Sequence, residues 1–426
     1  MSSSRGRLPF QNLSAQGWQN LGLIALLAYY IIWFLIPIAH DLFFTSLASD
    51  YLALWSAGFI ANREGYGQVY DLQTLTEIQQ PLVPNPDPQS LVFSPIPAPY
   101  LPIFLLPFQF LALLPPQISF WIWEVINAII LIAYLRHFAR RFDARQPARR
   151  PLLFLAFSLP VFGNFFWGQL NVWLMICVGE FLWALLNKRL FQAGLWLGGL
   201  LLKPQLLILI LPAMLLQRAW KSLAGFAAAT GALLLTSMAL LGPDGVTNFL
   251  NLSRFWRSGE TTLMAINAAN MMNWRMVGEH LARWFGPWTG GGIALAGVLV
   301  TVWIALRPWG IRALPETHFP PLTLSLFAAT TIVTWHAHYH MAMVLLPPLL
   351  ALLLKNQMEF RPVLWWIFLP SVMQFSALVI GLVYKIETMF PYNGSSSLIT
   401  GLTMLGMGLY FTIAPLNMMK ARQTGK

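Results

Sequence analysis

The sequence contains very little cysteine and few charged side chains. Cys177 is the single cysteine among 426 residues, and Asp, Glu, Lys and Arg together make up 10% of the chain. One cysteine can form neither an internal disulfide nor a metal site built on cysteine ligands. Soluble globular domains carry about 25% charged residues, so the composition excludes an ordinary soluble protein.

Apolar residues make up 57% of the chain, in repeated runs about as long as a membrane helix. A hydrocarbon core about 30 Å thick requires about 20 apolar residues per helix, and backbone groups in lipid must be satisfied within the helix itself. We therefore predict an all-α integral membrane protein in which residues 1–426 form a single polytopic domain. The apolar run from Trp18 to Ile38 is too long for a cleavable signal peptide, and no small-residue cleavage site follows it.

The apolar runs predict twelve transmembrane helices. Their approximate ranges are 18–39, 117–136, 151–166, 170–186, 190–202, 204–216, 222–241, 289–306, 319–335, 340–354, 362–382 and 398–418. The spans 190–202 and 204–216 are short. We predict that they form a hairpin whose tip, Lys203-Pro204-Gln205, does not reach bulk water.

The excess of basic residues lies in the short breaks between the apolar runs. A formal net charge of +11 would suit a nucleic-acid partner, but basic residues next to membrane helices instead set the orientation of a membrane protein. With both termini in the cytoplasm, 19 of the 26 Lys and Arg residues fall on the cytoplasmic side, six of them arginines in residues 136–150. We expect a multi-pass protein of the cell membrane, in contact with membrane lipids and with no nucleic-acid partner.

The same charge bias decides whether residues 99–114 cross the membrane. This stretch is apolar enough to span the membrane, but a span here would move the six arginines to the outer side. Pro99, Pro102 and Pro107 also argue against a regular transmembrane helix. We predict a re-entrant or interfacial helix, which leaves two long extracytoplasmic loops, residues 40–98 and 242–288.

Most of the unusual polar residues then fall on the extracytoplasmic side. Polar groups at membrane depth are costly and face a cavity or a partner, so their convergence predicts a functional site there. The residues expected at this site are Asp41, Asp50, Asn164, Gln169, Asn171, Lys203, Arg254, Arg257, Asn273, Arg275, His336, His338 and His340.

A carboxylate surrounded by cations and amides suits sugar transfer from a lipid-linked phosphosugar. The carboxylate can act as the general base that takes the proton from an acceptor hydroxyl. Lys, Arg and His can stabilise the charge that develops on the departing lipid phosphate. The sequence contains no nucleotide-binding glycine motif, which also favours a lipid-phosphate donor, and we expect no cofactor.

Simpler structural roles exist for the acidic residues. Asp50 could cap the helix that follows it, since Asp is favoured at helix N-termini. Asp41 could be a second acid or the true base, and Asp71 is better explained as a turn residue. Glu124 and Glu180 lie inside predicted spans, and we expect them to pair with neighbouring helices.

The other polar residues have alternatives as well. Lys203 could extend its ammonium group to the membrane interface, and Gln169 and Asn171 could pin helix ends. The alternating histidines share one side only if their segment is extended, and such alternation can also bind a metal. Because no carboxylate lies near them in sequence, a divalent cation is not favoured, and a lining that contacts phosphate or sugar is preferred. Arg254 and Arg257, with Asn273 and Arg275, could bind a lipid headgroup or form a solvated loop face.

Four sequence segments resemble the polyprenol-phosphate-mannose-dependent mannosyltransferases, glycosyltransferase family 87 of the GT-C superfamily. The first loop resembles the family in Ser49-Asp50-Tyr51-Leu52-Ala53-Leu54-Trp55 followed by Gly65, Tyr70 and Asp71. Phe93-Ser94-Pro95 with Leu105-Leu106-Pro107, then Gly168-Gln169-Leu170-Asn171, then Gly194 to Lys203-Pro204 complete the similarity. The resemblance extends from about residue 40 to residue 350, and it is the order and spacing of the motifs that carry it.

The resemblance implies a GT-C fold and an inverting transfer, most simply of mannose, from a polyprenyl-phosphate donor to a lipid, glycan or protein acceptor. It assigns Asp50 as the catalytic aspartate and places Gln169, Asn171 and Lys203 near the donor. His336, His338 and His340 match a polar turn that often contains histidine. The sequence departs from the family in having three alternating histidines, and in having Pro95, Pro97 and Pro99 where the family has Tyr-Pro-Pro.

Two other classes of function compete with a glycosyltransferase. A transporter or flippase for a lipid-linked glycan would have a similar number of helices, but such folds are built from two related halves, and no internal repeat is found. An acyltransferase, or a ligase acting on a lipid-linked polymer, would use a catalytic histidine and arginine in large outer loops.

Overall fold

The computed structural model describes residues 14–83, 95–142, 149–258, 268, 271–311, 314–384 and 394–423. Every regular element in these ranges is a helix, which confirms the all-α fold. The α-helices are α1 (Ala15–Ala39), α2 (Ser49–Arg63), α3 (Leu72–Gln79), α4 (Pro102–Leu111), α5 (Pro116–Arg140), α6 (Arg149–Ala156), α7 (Leu159–Trp167), α8 (Asn171–Leu186), α9 (Leu190–Gly198), α10 (Leu207–Leu216), α11 (Trp220–Ser258), α12 (Trp274–Phe285), α13 (Pro287–Leu306), α14 (Phe319–Val333), α15 (Leu346–Leu354), α16 (Phe360–Tyr384) and α17 (Gly394–Gln423).

Among the described residues, six helices are long and apolar enough to cross a membrane, namely α1, α5, α11, α13, α16 and α17. Helices α6 and α7 pass the same test as a pair and are bent by 50°. The other predicted spans correspond to shorter helices, below the about 20 residues of a full crossing. The structure is therefore that of an all-helical membrane protein, and the count of twelve spans stays a prediction.

The segment predicted as a loop, residues 40–98, contains the helix α2. Its apolar residues surround the whole helix, and ten of its fifteen residues are buried. A helix that is apolar on all sides belongs in a protein core. Helix α4, from the stretch 99–114, packs against α2 so closely that Gly58 contacts the carbonyl of Phe108. At ten residues, α4 is half the length of a span, and its depth in the membrane stays a prediction.

Helix α11 continues beyond the predicted end of its span at residue 241. It bends at Gly242, whose φ of +64° is in the left-handed region, and Pro243 follows. Glycine adopts this conformation without steric cost, and proline removes a backbone donor from the helix. The first part of the predicted loop 242–288 is therefore helical as far as Ser258.

The predicted hairpin is present, with its tip at Lys203. Two short 3-10 turns, Gly199–Leu202 and Pro204–Leu206, connect α9 to α10. Pro204 disfavours a helical conformation at the residue before it. Helix α9 packs on α11 through glycine, because a Cβ at Gly194 would overlap the backbone carbonyl of Ser222. This close packing, which small residues permit between membrane helices, holds the hairpin in place.

The packing of α9 on α11 predicts opposite effects for two Gly→Ala substitutions. Gly194→Ala should destabilise the protein by about 1–3 kcal/mol, because the new methyl group overpacks the interface. Gly231→Ala on α11 has no atom within 4 Å of the added Cβ and should stabilise the helix by about 0.5–1 kcal/mol. Thermal unfolding of both variants in one detergent measures the difference, and equal melting temperatures would contradict the packing described.

Segments predicted on the cytoplasmic side contact one another at one end of the helices. Lys188 Nζ lies 2.8 Å from Glu316 Oε1, and Gln217 Nε2 donates to the carbonyl of Ile311 at 2.7 Å. Arg141 Nη1 lies 2.6 Å from Glu180 Oε1, so Glu180 pairs with a neighbouring helix as predicted. We call this the basic end.

Glu124 does not pair as predicted. It is buried in α5, and neither carboxyl oxygen has a hydrogen-bond partner among the described residues. The prediction was wrong because hydropathy places a residue inside a span but does not reveal what the adjacent helix presents to it.

Candidate functional site

The turn between α7 and α8 carries Gln169 and is rigidly built. Gly168 ends α7 with a φ of +72°, the left-handed conformation common at helix C-termini, and a Cβ there would lie 2.5 Å from the Cβ of Tyr51. Asn164 Oδ1 accepts hydrogen bonds from the backbone N–H of Asn171 at 2.9 Å and from its side-chain amide at 3.1 Å. Both asparagines are fully buried, so they fix the turn.

Asp50 lies in the first turn of α2 and faces this rigid turn. The N-cap of α2 is Ala48, in a left-handed conformation, and its backbone N–H donates to the carbonyl of Phe166 at 2.9 Å. Asp50 is therefore not the N-cap, which removes capping as the explanation for this residue. Its Oδ2 accepts a hydrogen bond from Gln169 Nε2.

Lys203 completes the cluster from the tip of the α9–α10 hairpin. Its Nζ donates to Gln169 Oε1 at 2.7 Å and to Asn171 Oδ1 at 3.1 Å. The side chain is 8% exposed, so it points into the protein and does not extend to the membrane interface. The amide of Gln169 thus bridges a carboxylate and an ammonium group. We call Asp50, Gln169, Asn171 and Lys203 the charged cluster.

Asp50 is held in an environment that suits a base. Burial raises the pKa of its carboxyl above the ordinary value, while the hydrogen bond from Gln169 and the nearby His338 and Lys203 counteract part of that rise. A general base works best when its pKa approaches the working pH. Proton transfer to Asp50 is therefore more favourable than proton transfer to an exposed aspartate.

The raised pKa of Asp50 predicts the acid side of the pH profile. A base is active when deprotonated, so activity should be lost as the pH falls through the pKa of Asp50. We expect this loss in kcat/KM at a pH above about 4, the ordinary value for aspartate. A profile of kcat/KM between pH 4 and 8 measures it, and an acid limb at or below the ordinary value would contradict the environment described.

The three histidines lie close together between α14 and α15. His336 and His338 are in non-helical backbone, and His340 is in the 3-10 helix Tyr339–Leu345 that follows. Thr334 and His338 have extended ψ angles of 150° and 160°. The ring centroids of His336 and His338 are 4.9 Å apart, and those of His338 and His340 are 5.7 Å apart. The segment is therefore extended enough for the alternation to bring the rings together. We call residues 334–340 the histidine segment.

Trp167 connects the histidine segment to the charged cluster. Its ring centroid lies 6.3 Å from that of His338 and 5.2 Å from that of His340, and it directly precedes Gly168-Gln169. We did not predict a role for Trp167, although its position next to the Gly168-Gln169 motif was a signal for one. The two groups of polar residues form one site.

Metal binding receives no support from the described residues. Within those ranges, no three His, Cys, Asp or Glu side chains are grouped as metal ligands. The expectation that the protein needs no cofactor stays a prediction.

Asn273 and Arg275, on the predicted loop 242–288, reach the histidine segment. Asn273 is the N-cap of α12 and accepts from the N–H of Met276 at 3.0 Å. Its amide also donates to the carbonyl of Thr334 at 2.7 Å. Arg275 lies over the ring of Trp335, with 3.6 Å between Cζ and the ring centroid. Asn273 is therefore a connecting residue, and Arg275 lies at the edge of the site.

Two other predicted site residues, Asp41 and Arg254, are not brought to the charged cluster. Asp41 is exposed, in a turn with a φ of +55°, a conformation that Asp tolerates. Arg254 is exposed on α11 and contacts Asn251 of the same helix at 3.5 Å. The side chain of Arg257 lies outside the described residues. Asp71 caps α3 by accepting from the N–H of Thr74, as a turn residue would.

Comparison with known proteins gives one match. A model of glycosyltransferase family 87 matches residues 99–333, while no curated protein and no solved structure matches. The matched range contains Gln169, Asn171 and Lys203, and Asp50 lies outside it but bonds to Gln169. Because the match covers more than half of the chain, the protein belongs to glycosyltransferase family 87, and it is a glycosyltransferase.

Proposed function

We propose that the protein transfers a monosaccharide, mannose in the first instance, from a polyprenyl-phosphate donor to an acceptor at the extracytoplasmic face. The observation that supports this most is the charged cluster, in which one amide bridges a carboxylate and an ammonium group. Glycosyl transfer from a phosphate donor needs a base for the acceptor and a cation for the leaving group, and the cluster supplies both.

Asp50 is the base of the proposed reaction. It takes the proton of the acceptor hydroxyl as the hydroxyl oxygen forms a bond to the anomeric carbon. The bond between that carbon and the phosphate oxygen breaks at the same time, and its electrons leave with polyprenyl phosphate. Attack from the face opposite the leaving group inverts the anomeric centre, so a β-linked donor gives an α-glycoside. The anomeric coupling of the product, read by NMR, tests the inversion.

Lys203 binds the leaving phosphate. An ammonium group has three protons to donate, and the described contacts use two of them, to Gln169 and Asn171. The third is left for a phosphate oxygen. His338 acts electrostatically on Asp50, and Arg275 at the edge of the site adds further positive charge. Fixed donors of this kind stabilise charge as it develops in a transition state.

The proposed membrane arrangement has twelve spans, with both termini in the cytoplasm and α4 as the re-entrant or interfacial helix. The contacts at the basic end support it, because the segments that meet there are those that the charge bias places on one side. Basic residues favour the cytoplasmic side of a membrane. The charged cluster then belongs to the extracytoplasmic side.

A comparison of donors tests the proposed function. The purified protein in lipid nanodiscs is given labelled polyprenyl-phosphate mannose, polyprenyl-phosphate glucose or a nucleotide-linked mannose. We expect consumption of the lipid-linked mannose and none of the nucleotide sugar. Consumption of the lipid-linked glucose alone would show that the transferred sugar is glucose and not mannose. Consumption of the nucleotide sugar alone would overturn the proposal.

A further inference from the structure

Trp335 is the second residue of the histidine segment, and its large aromatic ring is exposed. It is 68% exposed, although it directly precedes His336 of the candidate site. One face of its ring is covered by Arg275, at 3.6 Å. The described contacts leave the other face open.

The backbone of Trp335 is firmly held even though its ring is exposed. Asn273 Nδ2 donates to the carbonyl oxygen of Trp335 at 3.3 Å, and Arg275 Nη1 donates to the same oxygen at 3.4 Å. Close by, the N–H of Met272 donates to the carbonyl of Ala337 at 3.0 Å. Because two chain segments fix it, the ring is preorganised, which lowers the entropic cost of binding a ligand.

The indole ring lies next to the histidines that connect to the charged cluster. The rings of His336 and His338 are 4.9 Å apart, and His338 acts electrostatically on Asp50. Gln169 and Lys203 are both buried, at 7% and 8% exposure. The exposed indole ring and the buried charged cluster are therefore connected through the histidine segment, with the indole ring at its exposed end.

The chemistry of the ring suits a sugar. An indole face carries partial negative charge and offers a broad apolar surface. The C–H groups on one face of a pyranose carry partial positive charge, and its hydroxyl groups point outward to water or to polar side chains. Binding sites commonly combine such aromatic surfaces with a few well-placed polar groups.

We propose that Trp335 is the platform on which a sugar residue of the acceptor stacks, so that the acceptor is a glycan. This proposal rests on the proposed function, because it takes the charged cluster as the place of transfer. The donor phosphate binds at the buried Lys203. The exposed ring is therefore assigned to the other substrate, the acceptor.

The alternative role for the exposed Trp335 is to anchor the protein at the membrane interface, where Trp is enriched. An anchor requires apolar bulk, whereas stacking requires a flat aromatic face. Leu and Phe separate the two, because both are apolar and Phe alone is aromatic. Trp284 of α12 is 70% exposed and has no role in the site, so it provides the matched control.

Calorimetric titration of the purified protein with mannotriose, maltotriose and cellotriose, without donor, tests the platform. We expect the wild type to bind at least one of these trisaccharides. Trp335→Leu should weaken that binding about tenfold or more, while Trp335→Phe should retain most of it. Trp284→Leu should bind as the wild type does. Binding of none of them, binding of a short peptide instead, or equal binding by Trp335→Leu and the wild type would overturn the proposal.

A second measurement on the same preparations separates this proposal from the proposed function. In a transfer assay, Trp335→Leu should raise the KM for the acceptor and leave the KM for the donor unchanged. A raised donor KM with an unchanged acceptor KM would contradict the platform. If the trisaccharide binds through Trp335 but no polyprenyl-phosphate sugar is consumed, the glycan platform stands and the proposed function fails.

Discussion

Asp50→Asn should lower the rate of sugar transfer by about 10²- to 10⁴-fold, the usual contribution of a general base. Asparagine has the shape of aspartate, and its Oδ1 can still accept the hydrogen bond from Gln169, so the fold should be preserved. It cannot take up the proton of the acceptor hydroxyl. The measurement is the initial rate at which labelled polyprenyl phosphate is released by the purified variant.

Asp71→Asn is the matched control for this experiment. Asp71 lies on the same predicted loop and caps α3, and asparagine is an equally good N-cap. We expect the control to be as active as the wild type and both variants to melt at the wild-type temperature. An Asp50→Asn variant that is folded and fully active would show that Asp50 is not the base.

Lys203→Met should lower kcat/KM for the donor by about 10²- to 10³-fold, as expected for a lost contact to a developing anion. The substitution also leaves Gln169 Oε1 and Asn171 Oδ1 without their donor, at a cost of about 1–3 kcal/mol for each buried group. We therefore expect a lower melting temperature in addition to the loss of activity. Donor titrations of the initial rate, together with thermal unfolding, measure the two effects.

Two further variants separate the role of Lys203 in binding phosphate from its role in the fold. Lys203→Arg keeps a positive charge and several donors, so it should recover part of the affinity for the donor. Lys188→Met removes an exposed lysine from a surface ion pair with Glu316, a type of interaction worth about 0–1 kcal/mol, and should have wild-type activity. If Lys203→Met melts earlier but keeps the wild-type KM for the donor, Lys203 is structural and does not bind phosphate.

Several features of the fold and the site followed from the sequence because one physical effect dominates each of them. The boundaries of α13 and α16 follow from hydropathy to within two residues, since lipid excludes polar side chains over a known thickness, whereas α17 extends beyond its predicted span at both ends. The hairpin tip at Lys203 follows from the proline that interrupts an apolar run. The charge bias placed Asp50 and Gln169 on the same side, and the structure places them in contact.

Other features depend on packing, which sequence patterns do not encode locally. Helix α2 has no amphipathic period, so the sequence indicated a helix after Asp50 but not its burial in the core. In the sequence alone, the Gly242-Pro243 pair indicates the end of a helix. In the structure, α11 bends at this pair and continues to Ser258. That Glu124 has no partner among the described residues could not be predicted, because its surroundings come from distant parts of the chain. Asn164 acts on Asn171 through a turn whose geometry depends on Gly168.

The fate of the donor in sealed proteoliposomes tests the central claim most directly. Polyprenyl-phosphate mannose labelled in both the sugar and the phosphate is supplied together with a glycan acceptor. We predict that polyprenyl phosphate is released and that an equal amount of labelled sugar appears on the acceptor, in a reaction that Asp50→Asn slows by about 10²- to 10⁴-fold. An intact donor that has only moved from one leaflet to the other would identify a flippase and contradict the account.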